Sequence, residues 1–215
     1  MGSTRLPGKV LRPIAGRPLL AHVLGRLADL RHDAQIVVAT STNPVDDVIY
    51  SFCTELGMSC FRGSETDVLA RYWECALEYR FEQIVRLTAD NPFTDVHELD
   101  RLIDIHLQAG NDYTHSFGDM PVGVGAEIFT FAGLQRSHLE GHASNHREHV
   151  NEYIQENPSK FRIGQLAVPA VKRQPSLRLT VDTADDYQRA CELAERAPDR
   201  WLSTEDAIRL CSRSV

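Results

Sequence analysis

The segment Gly2-Ser3-Thr4-Arg5-Leu6-Pro7-Gly8-Lys9 holds the residue types that grip phosphate. Two glycines and two hydroxyl residues expose backbone N–H groups that can wrap phosphate oxygens. Arg5 adds a planar fork suited to bidentate contact, and Lys9 adds a mobile point charge. Such a set can bind a triphosphate and neutralise a departing pyrophosphate. The spacing is not G-x-x-x-x-G-K-[ST], so this is no Walker loop. A solvated terminal tail has a similar composition, and the residues alone leave both readings open.

Two aspartates form the next constellation. Asp90 follows the run QIVRLT, and Asp182 follows LRLTV. Ligands of open α/β sheets bind beyond the carboxyl ends of strands, so two carboxylates on different strand ends can converge on one Mg²⁺. The competing role for each is to cap the helix that follows. Arg86 lies inside an otherwise apolar run. A buried charge is costly unless paired, so it must reach an acid or a ligand phosphate. His146 and His149 are three apart, the spacing of one helix face. Zinc is disfavoured there because no third ligand is evident.

These residues need elements to position them, and hydrophobic periodicity places those elements. Leu19–Leu30 reads as an amphipathic helix with Pro18 in its first turn. Gln35–Thr40 and Gln83–Thr88 are short continuous apolar runs, as buried parallel strands are. Helices are expected over 45–56, capped by Gly57, over 67–79, and over 96–109, ending at Gly110. Met58–Phe61 is a further strand. Beyond Asn111 the order loosens: strands are expected at 127–131, 161–168 and 177–181. Helices are expected at 146–155, 185–197 and 204–211. This alternation predicts one α/β domain with a mostly parallel sheet and a small subsidiary β region. A sheet of this kind should open with a strand, yet Met1 lies directly in the glycine-rich loop. The expectation is that the opening strand belongs upstream of Met1.

The chain has 215 residues, 42% of them hydrophobic, which suits one domain with a sizeable core. A formal charge of −7 argues against a nucleic-acid surface but not against an anionic substrate in a local basic pocket. The five cysteines are widely spaced, form no C-x-x-C pair and read as reduced thiols of a cytoplasmic protein. No run approaches the ~20 apolar residues of a membrane span, and the polar N-terminus reads as no signal peptide.

The segments Ser3–Lys9 and Gly16-Arg17-Pro18-Leu19-Leu20 resemble the opening of the cytidylyltransferases, including the branch of spore-coat polysaccharide biosynthesis proteins. Thr88-Ala89-Asp90-Asn91-Pro92 and Thr180-Val181-Asp182-Thr183 resemble that family's two aspartate motifs, and Arg62-Gly63-Ser64-Glu65-Thr66-Asp67 its R-G-S-x-x-D segment. The resemblance implies a nucleotide-diphospho-sugar-transferase (GT-A-like, Rossmann-like) fold. It also implies transfer of CMP from CTP to a small anionic acceptor, an acidic sugar or a phosphonate, with release of pyrophosphate. It assigns Gly2, Ser3, Thr4, Arg5 and Lys9 to the triphosphate and Asp90 and Asp182 to magnesium. Arg62, Ser64 and Asp67 fall beside the nucleoside, with Arg86 a further candidate, although Asp67 equally suits a helix cap. Glu127, Arg147, Glu148 and His149 fall to the acceptor side. A homodimer is implied by the resemblance only.

Two departures stand out. The hydrophobic strand that precedes the family's glycine loop is not in this sequence, and Gly125 stands where close relatives often carry an aspartate. Three rivals remain. One is a glycosyltransferase, which should show a D-x-D pair. Another is a uridylyl- or guanylyltransferase. The third is a non-catalytic nucleotide-binding remnant.

Overall fold

A computed structural model describes residues 1–197 and 201–212. The chain opens in a loop that folds on itself. Gly8 takes φ 70°, its N–H donates to the Met1 carbonyl, and the Leu6 N–H donates to Ser3 Oγ. A two-residue hairpin, β1 (Pro13–Ile14) with β2 (Arg17–Pro18), turns through Ala15 and Gly16, both at positive φ, and delivers the chain to α1 (Leu19–Arg26). Next come β3 (Val37–Ser41), α2 (Asp47–Glu55), β4 (Ser59–Gly63), α3 (Val68–Glu78), β5 (Gln83–Arg86) and α4 (Val96–Ala109). The second half comprises β6 (Tyr113–His115), β7 (Glu127–Thr130), α5 (Phe131–Glu140), α6 (Ser144–Glu148), α7 (Glu152–Glu156), β8 (Ile163–Gln165), α8 (Ala184–Glu195) and α9 (Thr204–Ser212).

The α/β class is as expected, and the sheet is mixed. β3 pairs with β4 in parallel; β5 pairs antiparallel with β7, β7 antiparallel with β6, and β6 parallel with β8. No pairing joins β3 to β5 among the described residues. Chain order explains the mixture: β7 enters between β5 and β6 without a crossover helix, which sets it against both neighbours.

Local chemistry accounts for the best-defined helix. Asp95 caps α4 by accepting from the Glu98 N–H, and Gly110 ends it at φ 61°. The larger core cluster packs Leu19 and Val23 of α1, Leu99 and Leu102 of α4, Ile128 of β7 and Val181. A second cluster gathers Leu69, Tyr113, Phe129, Val150 and Ile154.

Three expectations are corrected. The helix over 146–155 is two short helices, because Val150 turns into the second core cluster and Asn151 reaches the Tyr113 hydroxyl. The segment 177–181 is extended but forms no ladder. It trades single bonds with Val122, and Val181 donates to Asp90 O instead. The strand expected over 161–168 is limited to β8. The sequence reading also passed over β6 and α5.

Candidate active site

The loop 1–9 touches three segments that follow strands: Met1 pairs with Asp46 after β3, Gly2 lies near Glu65 after β4, and Lys9 meets Asp90 after β5. Lys9 reaches across it. Its Nζ donates to Asp90 Oδ2 at 2.8 Å and to Asp182 Oδ1 at 2.7 Å. The side chain of Lys9 is 12% exposed, so this ammonium is largely withdrawn from water. Arg5 Nη2 stands 3.4 Å from Asp182 Oδ1, with its own side chain in solvent.

Backbone bonds bring the two aspartates together. The Val181 N–H donates to the Asp90 carbonyl at 2.9 Å, clamping the loop after β5 to the segment before α8. Gly123 lets a third segment close on that clamp: its φ is 97°, and a Cβ there would lie 2.5 Å from the Thr180 nitrogen. Asp90 is oriented by Thr88, whose hydroxyl donates to Oδ1 at 2.6 Å.

Asp182 is not the cap of α8. Thr183 caps that helix and Asp186 completes the capping box, accepting from the N–H groups of Asp182 and Thr183. The Asp182 carboxylate is left to meet Lys9, Arg5 and Arg178. Burial opposes its charge, but the Lys9 ammonium, helped by Arg178 and Arg5, outweighs that and holds its carboxyl below the usual range. Beside it opens a cleft of 950 Å³ lined by Arg5, Arg178, Arg189 and Arg196, with Asp185, Asp186 and Glu192 also on its wall.

The other candidates divide. Arg62 bonds the carbonyls of Ser41 and Asn43 and pairs with Asp47 at 2.7 Å, bracing loop 41–46. Ser64 Oγ accepts from the Asp67 N–H, and Asp67 caps α3 through the Ala70 N–H. Gly2 lies near Glu65, whose carboxylate accepts from Asn43. Ser3 stabilises the loop, and Thr4 is exposed. Arg86 found an acid, Glu127. That carboxylate is 0% exposed and also accepts from the Tyr113 hydroxyl, so it is turned into the protein rather than towards a cleft. Arg147 bonds His138 and faces Asp67 at 3.5 Å. Glu148 and His149 are exposed, and His146 is bound to Glu156.

Gly125 packs on Ser116, where a Cβ would stand 2.9 Å from Oγ. Among the described residues no group of three or more His, Cys, Asp or Glu could hold a metal. Asp90 and Asp182 supply two carboxylates that face one cation, the Lys9 ammonium.

Sequence reading passed over Arg178, Asp186 and Thr88. The spacing Arg178-x₃-Asp182-x₃-Asp186 was the available signal, hidden because 177–181 read as a strand, where residues four apart do not approach.

A glycine-rich loop at the carboxyl ends of the strands, a lysine and two convergent aspartates define an α/β nucleotidyltransferase. A family model described as cytidylyltransferase matches residues 1–207. The chain is 37% identical to the spore coat polysaccharide biosynthesis protein SpsF of Bacillus subtilis, over 100% of this chain and 91% of that protein. A solved cytidylyltransferase from Leptospira borgpetersenii is 31% identical with TM-score 0.92, covering 100% of this chain and 91% of that one. The 3-deoxy-manno-octulosonate cytidylyltransferase of Geobacter sulfurreducens is 35% identical over 47% of this chain and 40% of its own length. The chain belongs to the cytidylyltransferase family. No helix among the described residues is long and apolar enough to cross a membrane.

Proposed function

We propose that the chain transfers CMP from CTP to a small anionic acceptor and releases pyrophosphate, with Mg²⁺ as the metal. One observation carries the reading: the Lys9 ammonium lies between the carboxylates of Asp90 and Asp182, within hydrogen-bond distance of both, at the mouth of the glycine loop. Two hard oxygen donors facing one cation suit Mg²⁺, which takes one or two carboxylates and completes its shell with water and substrate phosphate. When bound, the metal supplies charge neutralisation on the triphosphate.

The chain's own groups do the rest. Backbone N–H groups of residues 2–5 and the side chains of Arg5 and Lys9 hold the triphosphate and balance the pyrophosphate as it leaves. The acceptor oxygen attacks the α-phosphorus in line, so positioning dominates the catalysis. The arginine-lined cleft beside Asp182 supplies positive charge for an anionic acceptor. The name of the Geobacter relative favours an acidic sugar over a phosphonate. The same reading carries a cytoplasmic location and a homodimer, the second of which light scattering on the purified chain tests.

The test is pyrophosphate release with each of the four NTPs and Mg²⁺, against a panel of acidic sugars and phosphonates. CTP-specific release that disappears in Asp90→Asn and Asp182→Asn is the expected result. A folded chain that binds no CTP would overturn the proposal.

A further inference from the structure

Asp90 and Asp182 are each anchored through one carboxylate oxygen and turn the other towards Lys9. Asp90 Oδ1 accepts from the Thr88 hydroxyl at 2.6 Å, and Oδ2 accepts from Lys9. Asp182 Oδ2 accepts from Arg178 Nη2, and Oδ1 accepts from Lys9, with Arg5 approaching the same oxygen at 3.4 Å.

Proton bookkeeping makes the Asp90 anchor one-way. Asn91 Nδ2 donates to Thr88 Oγ1 at 2.8 Å. An ionised carboxylate only accepts, an amide NH₂ only donates, and a hydroxyl carries a single proton. With Asn91 donating to its oxygen, Thr88 keeps that proton for Asp90. Turning the Asn91 amide over would set a second acceptor in competition for the same proton. As it stands, Asn91 Oδ1 is buried with no partner among the described residues. An unmet acceptor is costly, and here the cost goes with the commitment of the amide nitrogen to Thr88.

The Asp182 anchor is held from behind as well. Asp186 is buried and accepts from Arg178 Nε at 3.2 and 3.3 Å, one oxygen each. It also accepts from the Asp182 and Thr183 N–H groups, so a fixed carboxylate aims the guanidinium.

We infer that Thr88, Asn91 and Arg178 are positioning residues that limit each aspartate to one oxygen towards a divalent cation, and so set the site's preference for Mg²⁺ over Ca²⁺. Mg²⁺ demands near-ideal octahedral geometry and keeps several waters, whereas Ca²⁺ takes about six to eight oxygens and accepts both oxygens of one carboxylate. Anchored carboxylates deny Ca²⁺ that second oxygen. The inference deepens the magnesium and CTP reading and rests on it.

The test titrates CTP into the full chain by calorimetry, without acceptor, in saturating Mg²⁺ and again in saturating Ca²⁺. The ratio of the two dissociation constants reads the preference, and a change in protein charge, which alters both constants, cancels in it. The parent chain should bind CTP more tightly with Mg²⁺. Thr88→Val keeps the side chain's shape without the hydroxyl and should lower the preference about tenfold, the scale of one hydrogen bond to a charged group. Thr88→Ser should restore it. Arg178→Leu should lower it by a similar factor from the Asp182 side, and Asn91→Leu by less, because Thr88 can still donate. Far-UV circular dichroism confirms that each variant is folded. A folded Thr88→Val variant with the parent's ratio overturns the inference and leaves the CTP reading standing. So does a Thr88→Ser variant that loses the preference as fully as Thr88→Val. Should Thr88→Val not fold, Arg178→Leu decides, its parent side chain being 39% exposed, and an unchanged ratio there overturns the inference. A parent chain that binds no CTP with either metal sinks the nucleotidyl-transfer reading and the inference with it.

Discussion

The Val181 N–H donates to the Asp90 carbonyl, and this one backbone bond sets the distance between the two aspartates of the site. Each carboxylate then comes within reach of a single Lys9 ammonium. A backbone clamp of this sort fixes geometry without spending either carboxylate, so both are left to meet side-chain cations.

Lys9→Met should leave the fold intact, since Asp182 retains Arg178 and Arg5. It should lower CTP-dependent turnover by about 10²–10³, the usual loss when one preorganised donor to developing charge is removed. Steady-state pyrophosphate release beside far-UV circular dichroism checks this. A fall in both would mean that Lys9 is a structural tie.

Acid should destabilise the chain through its depressed carboxylates, Asp46 and Asp182 among them. Asp46 is held down to about 2, because the Met1 ammonium and the Ser41 and Thr40 donors outweigh burial, and Asp182 is also depressed. A group whose folded pKa lies below its unfolded value binds fewer protons when folded. Its stabilisation is therefore present above the unfolded pKa of about 3.9 and is lost as pH falls towards the folded one. Thermal midpoints should drop as pH falls below about 4. Asp46→Asn should be less stable at neutral pH and show a shallower acid limb.

The Arg86–Glu127 pair should behave as a buried ion pair. Glu127 is fully buried and also accepts from Tyr113, whose hydroxyl burial and the neighbouring carboxylate push up. Glu127→Ala should cost about 3–5 kcal/mol in urea unfolding by leaving Arg86 charged, buried and alone. Arg86→Met with Glu127→Met should recover much of that loss. A double variant no better than Glu127→Ala would show that Tyr113, not Arg86, is the partner that matters.

The elements with their own local signals were readable from sequence. Helix α4 begins at an aspartate cap and ends at a positive-φ glycine, so both bounds appear in the residues themselves. The glycine loop and both aspartates were readable as motifs. What could not be read depends on distant pairing. Arg86 required an acid, but nothing nearby identified Glu127, which β7 brings alongside through its antiparallel register. Arg178 was hidden by a segment with strand-like composition that spends its backbone bonds on loops. The half-buried state of Val37, Val38 and Ala39 follows from the slot of 780 Å³ that they border, which no property of those residues records.

Gly123 offers the sharpest link between backbone and site. An alanine there meets the Thr180 nitrogen at 2.5 Å and its Cα at 2.8 Å, both backbone atoms that cannot swing away, and it is also strained at φ 97°. Relief requires the 179–182 segment to move, and that segment carries Asp182 and the Val181 bond to Asp90. Gly123→Ala should therefore cost about 1–3 kcal/mol of stability for the backbone strain. It should also reduce turnover well beyond what the lost folded fraction explains. Gly16→Ala is the matched control: its φ is 78°, yet nothing lies within 4 Å of its Cβ position, and its hairpin does not carry Asp182. It should lose stability and keep its turnover per folded molecule. If Gly123→Ala retains turnover per folded molecule as the control does, the Asp90–Asp182 spacing is set elsewhere than at the 123–180 contact.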